Sequence, residues 1–151
     1  MKNKTRGEAG FLGVYNLNPN FKISMSNKIP SPNNAKYDFI ERTAKFGENV
    51  ILFAGNLPNT PITKPLISQL IRSGTSIGAN YMEADGAESK KDFEHKIGIS
   101  RKESKETMHW LRMTAKAVSM EQENCRKLWK EAQEFVFIFS AIINNSKNKK
   151  V

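Results

Sequence analysis

The chain of 151 residues has one cysteine, two histidines, two tryptophans and only 15 acidic residues against 24 basic ones. Each scarcity removes a class of protein. The single thiol, Cys125, has no intramolecular partner, which rules out an internal disulfide and fits a reducing cytoplasm. No stretch approaches the roughly 18 apolar residues that span a bilayer, so no membrane partner is expected. Lys2, Lys4 and Arg6 resemble the opening of an export signal, yet no sufficient apolar run follows before Asn16, Asn18 and Pro19, which argues against export. Glycine-rich nucleotide loops, dinucleotide fingerprints and zinc-knuckle spacings are missing. The deficit of acid leaves a net charge of +9 and a pI near 9.7. That balance points to a polyanionic partner such as RNA or DNA and says nothing about the fold.

The shortage of histidine weighs against catalysis. Glu106-Thr107-Met108-His109 has the Glu-x-x-His spacing of di-iron carboxylate bundles, with Glu83 or Glu103 as further ligands. Such a site needs a second Glu-x-x-His on another helix. The other histidine, His95, falls on the same predicted helix, preceded by Asp92, and the fourth predicted helix has none. The ligand set is incomplete. No serine or cysteine is marked as a nucleophile by its neighbours, and Cys125 reads as a packed thiol. The expectation is a protein that is not an enzyme and holds no metal or cofactor.

What the chain does have is helical grammar. Residues 1–33 stand apart, with Gly7, Gly10, Gly13, Pro19, Pro30, Pro32 and five basic residues against one acidic, and read as a flexible, disordered basic arm. A bundle domain is expected over 34–145 and a frayed basic tail over 146–151. Helix one is predicted near 35–56, stopped by Gly55-Asn56 and Pro58. It carries one stripe of Ile40, Ala44, Gly47, Ile51 and Ala54 and another of Phe39, Phe46, Val50, Phe53 and Leu57. Helix two starts between Thr60 and Pro65 and runs to about Asp85. Helix three opens on Ser89 with Asp92, in the manner of a capping box, and continues to about Val118. Ser119 and Gln122 repeat that pattern before helix four, which ends near Asn144. Short joints between four helices imply antiparallel neighbours, hence an all-α, up-down-up-down four-helix bundle.

Helix four is apolar over two seams: Leu128, Ala132, Phe135, Phe139 and Ile142, then Trp129, Val136 and Ile143, widened by Phe137 and Ile138. One seam suffices for a monomer, so the second predicts homo-oligomerisation.

Helices two and three carry small and polar residues where leucine is usual. Gly74 and Gly78 share a face with Ser73, Ser76, Ile77 and Asn80, which predicts close helix approach. On helix three, Ile99, Glu103, Glu106, Trp110 and Met113 form one line, so its two carboxylates need partners. Arg72 is the expected bridge, within a polar network of Arg72, Asn80, Glu83, Glu103 and Glu106. The inner line runs Phe93, Ile97, Ser100, Ser104, Thr107, Leu111, Ala115 and Val118. A third line, Arg101, Lys105, Arg112 and Lys116, with Lys102 and Lys91 beside it, makes a cationic ridge about 22 Å long suited to tracking phosphates.

The run QLIRSGTSIGANYMEA followed by DFEHKIGISRKESKETMHWL resembles the bacterial ribosomal RNA intervening-sequence protein family, and is similar to the accessory variability determinant of diversity-generating retroelements. The resemblance covers about residues 36–140 and rests on Arg72, Ser73, Ser76, Asn80 and Glu83, then Phe93, Glu103, Glu106, Trp110 and Leu111. The family commonly has tyrosine where this chain has His109, which speaks further against a metal. The resemblance implies a four-helix bundle assembling into a ring-like homopentamer with no established catalytic activity. In the retroelement relatives a basic ring binds nucleic acid and a reverse transcriptase. Two functions follow as expectations: a nucleic-acid-binding homo-oligomer using Arg101, Lys102, Lys105, Arg112 and Lys116, or a scaffold that engages a protein partner without touching nucleic acid.

Overall fold

The computed structural model describes residues 35–148. Four α-helices follow in order: α1 over Ala35–Gly55, α2 over Thr63–Asp85, α3 over Lys90–Ala117 and α4 over Gln122–Asn148, with a short 3-10 turn at Ser119–Glu121. The expected arm and the last residues of the tail lie outside the described residues.

Local chemistry sets the helix starts. The N-cap residue of α2, Ile62, makes no side-chain cap bond, but the turn leading into the helix is closed by a reciprocal pair: the Thr60 hydroxyl accepts from the Thr63 N–H at 3.2 Å, and the Thr63 hydroxyl accepts from the Thr60 N–H at 2.9 Å. Ser89 caps α3 by accepting from the Asp92 N–H at 3.1 Å. Ser119 does not cap α4 as expected. It opens the 3-10 turn without a side-chain cap, α4 starts at Gln122, and the helix runs four residues past Asn144 to Asn148.

Contacts give the topology. Thr43 of α1 lies against Gly78 of α2, and Val50 against Gly74. Glu83 of α2 pairs with Lys96 of α3, and Ser73 bonds Thr107. Glu94 near the start of α3 accepts from Ser146 near the end of α4. Phe39 and Phe46 of α1 face Phe139 and Phe135 of α4. Every pair runs in opposite directions, the up-down-up-down arrangement.

The four sides of the bundle are filled differently. Where α1 meets α2, glycine removes the spacer. A Cβ on Gly78 would sit 3.2 Å from the Thr43 carbonyl carbon, and one on Gly74 would sit 2.9 Å from a Val50 methyl. Between α1 and α4 the helix axes stand farther apart and rings occupy the gap. Phe39 meets Tyr81, Phe135 and Phe139, and Phe46 meets Phe135 edge-on at 5.2 Å. Such edge-to-face pairs contribute about 0.5–1.5 kcal/mol each beyond the area they bury. The core is Phe46, Val50, Phe53, Leu70, Ile77, Ile97, Leu111, Leu128, Phe135 and Phe139.

The structure chooses between the two α1 stripes, and one α4 seam differs from the sequence expectation. On α1 the Phe39–Leu57 stripe is the core one, while Ile51 of the other stripe stands half in solvent beside an exposed Ala44. Near the end of α4 it is Ile143, not Ile142, that is buried, while Ile142 and Phe93 are only partly buried against the core.

Candidate functional site

The inner face of α3 is anchored on α2 by short polar side chains. The buried Ser100 hydroxyl donates to the Ile77 carbonyl at 3.1 Å, so the two backbones come within one hydroxyl of each other. The Thr107 hydroxyl donates to the Glu103 carbonyl at 2.8 Å and shares a hydrogen bond with Ser73 at 3.0 Å. Ser104 is buried and turned back onto the Ser100 carbonyl. A larger residue at any of these positions would push α3 outward. The serine and threonine pattern thus fixes how α3 presents its opposite face.

One edge of that seam is closed by charge. Arg72 donates to Glu103 at 3.3 Å and, through its other terminal nitrogen, to Glu106. Glu103 is almost buried, and Glu106 also accepts from the Trp110 indole N–H at 3.3 Å. Three members of the expected network therefore meet. The other two do not join them: Asn80 donates to the Ser76 carbonyl of its own helix, and Glu83 pairs with Lys96 instead. The hydrogen bond with Glu83 holds the Lys96 ammonium above its usual pKa.

The outward face of α3 is a line of cations. Lys91, His95, Lys102, Lys105, His109, Arg112 and Lys116 are all exposed and, with Gly98, recur at alternating steps of four and three. The line spans about 38 Å at the α-helical rise of 1.5 Å per residue. No carboxylate occupies any of its positions, and none of its lysines or its arginine forms an ion pair among the described residues. Arg101, expected on the ridge, is half-buried at its margin, so the outermost line passes through Lys102 instead. His109 lies edge-on to Trp110 at 4.9 Å. Among the described residues no three histidine, cysteine, aspartate or glutamate side chains gather into a metal-holding group, and no helix is long and apolar enough to cross a membrane.

A second ionic cluster was not foreseen from sequence. Arg42 of α1 donates to Glu131 at 3.3 Å and to Glu134 at 2.5 Å, and its guanidinium lies over the Phe135 ring at 5.0 Å. Burial pushes the Glu131 carboxyl above its usual pKa, and Arg42 pulls the other way. The available signal was an acid set in the seam between Leu128 and Phe135. On α4, Cys125 is a packed thiol, raised by burial to about 12 and therefore a poor nucleophile.

Fold and surface together define a small all-α bundle with a polar α2–α3 seam and one cationic helix face. The family model of the 23S rRNA-intervening sequence protein matches residues 35–141, and the chain belongs to that family. A solved structure of a protein with unknown function from the S23 ribosomal protein family of Bacteroides thetaiotaomicron is similar to it. Its TM-score is 0.62 at 27% sequence identity, covering 72% of this chain and 98% of that one. No curated protein matches the chain.

Proposed function

We propose that this protein is a non-catalytic, cytoplasmic homo-oligomer, pentameric as the family resemblance implies, that binds nucleic acid along α3. The observation that carries this reading is the unpaired cationic line on α3. A surface helix usually intersperses acids among its lysines; here eight successive outward positions contain none. Arg101 widens the line on one flank. The cations stand on a helix whose inner face is held by buried hydroxyls, so the spacing of the charges is rigid. Contacts of this kind address phosphates and carry little sequence information.

Assembly is supported by apolar side chains that the bundle leaves uncovered. Phe137 is 64% exposed on α4 and Met82 55% exposed on α2, with Trp129, Val136 and Ile142 only partly covered. The same surplus favours the second reading, a scaffold for another protein.

Fluorescence anisotropy with single-stranded RNA and duplex DNA separates these readings. Replacing Arg101, Lys102, Lys105, Arg112 and Lys116 with glutamine should weaken binding about tenfold or more while leaving assembly unchanged. A light-scattering mass several times 17.1 kDa is expected for both proteins. Unchanged affinity would remove the α3 line from the function, and salt-insensitive capture of one protein without nucleic acid would favour the scaffold.

A further inference from the structure

Gly98 lies within the outward line of α3 and has no packing reason to be glycine. The other mid-helix glycines all face a neighbour: a Cβ on Gly47 would meet the Thr75 backbone at 3.5 Å, one on Gly74 the Val50 side chain at 2.9 Å, and one on Gly78 the Thr43 backbone at 3.2 Å. A Cβ on Gly98 would meet nothing within 4 Å. A glycine inside a helix weakens it relative to alanine, through backbone entropy and exposed peptide groups. At Gly98 the bundle gains nothing in return. What the missing side chain does provide is a half-exposed stretch of helix with open space where a Cβ would stand, with Lys91 and His95 on one side and Lys102 and Lys105 on the other.

We infer that Gly98 is the point at which a nucleic-acid backbone lies closest to the protein, with the flanking cations holding its phosphates to either side. This rests on the nucleic-acid reading proposed above. The other occupant suited to such a stretch of helix is a second copy of the chain. The line argues against it, since it carries five lysine or arginine residues and no acid, and two such lines repel each other. A polyanion is drawn to the same place. Any side chain at position 98 would lift it away from the helix, and the flanking lysines would have to reach farther.

The test uses the full chain as wild type, Gly98→Ala, Gly98→Leu and Lys102→Gln. Affinity is read with a single-stranded RNA and a DNA duplex, stability by thermal unfolding and assembly by light scattering. Gly98→Ala should unfold at a higher temperature than wild type, because alanine is the better helix former and has room. Affinity should nevertheless fall, about threefold for alanine and about tenfold for leucine, with the assembly mass unchanged. If Lys102→Gln weakens binding but Gly98→Leu binds as wild type does, the inference fails and the nucleic-acid reading survives. If wild type binds neither probe, that reading itself fails. If Gly98→Leu changes the mass, copies of the chain meet at Gly98, and the assignment to a polyanion is overturned.

Discussion

A glycine series separates the contacts that set helix spacing from those that do not. Replacing any mid-helix glycine by alanine gains about 1 kcal/mol of helix propensity. What differs is the space the new methyl meets. At Gly98 it meets nothing, so the gain should appear whole. At Gly47 it would touch Thr75 at 3.5 Å, an ordinary contact, and most of the gain should remain. At Gly78 it would meet main-chain atoms of Thr43 and Ala44 at 3.2–3.3 Å. Backbone cannot swing aside as a long side chain can, so α1 must shift from α2. At Gly74 the methyl would approach Val50 to 2.9 Å, and Val50 is fully buried and β-branched, with one strongly preferred rotamer in a helix. Overpacking of this kind costs about 1–3 kcal/mol. The net result should be destabilisation of about 1–2 kcal/mol at Gly74 and Gly78, against stabilisation of up to about 1 kcal/mol at Gly98 and Gly47. For a domain of this size each kcal/mol moves the midpoint by about 3–6 °C. Thermal unfolding followed by circular dichroism should therefore put the two pairs on opposite sides of wild type. If Gly78→Ala melted above wild type together with Gly98→Ala, helix contact through glycine would not be what sets the α1–α2 distance.

Arg72→Met should destabilise the bundle by about 1–3 kcal/mol, because it leaves the nearly buried Glu103 carboxylate without its cation. In Arg72→Met, the further change Glu103→Gln should recover part of the loss in chemical unfolding; additive losses would show that the pair is not coupled. Glu131 gives a pH dependence whose sign is fixed. Its folded-state pKa is raised, so its contribution to stability is present below the ordinary carboxylate range and is lost as pH rises through the raised value. Glu131→Gln removes that loss, and the midpoint difference between variant and wild type should grow in the variant's favour between pH 4 and pH 7. A difference that shrinks over the same interval would mean that Arg42, rather than burial, dominates the carboxyl.

Much of this architecture was legible in the chain. Thr60, Ser89, Gly55-Asn56 and Gly86 punctuate it, and the 3.6-residue repeat of Phe46, Val50, Phe53 and Leu57 marks the core stripe of α1. The pairing of Arg72 with Glu103 and Glu106 could be anticipated because two acids on an otherwise apolar line demand a cation. The Arg42 cluster could not be read in the same way. Its partners are 89 and 92 residues away, and which helix faces α1 across the bundle is decided by tertiary packing. The cationic line keeps Lys105, Arg112 and Lys116 but takes Lys102 in place of Arg101 for the same reason. Charge spacing places residues on a common stripe, but the angle at which α3 docks, set by Ser100 and Thr107, determines that Lys102 faces outward and Arg101 is half-covered. Gly98 is visible in the sequence only as one more glycine. Its lack of a neighbour becomes informative once the contacts of Gly47, Gly74 and Gly78 are known.

The salt dependence of nucleic-acid affinity tests the central claim most directly. Four or five phosphates held along α3 should make the logarithm of the association constant fall against that of salt concentration with a slope of about −3 to −3.5 for a single strand. Removing Lys105 and Arg112 by glutamine substitution should flatten that slope by about 1 to 1.5. A binding constant indifferent to salt, or a slope unchanged by those substitutions, would contradict the account.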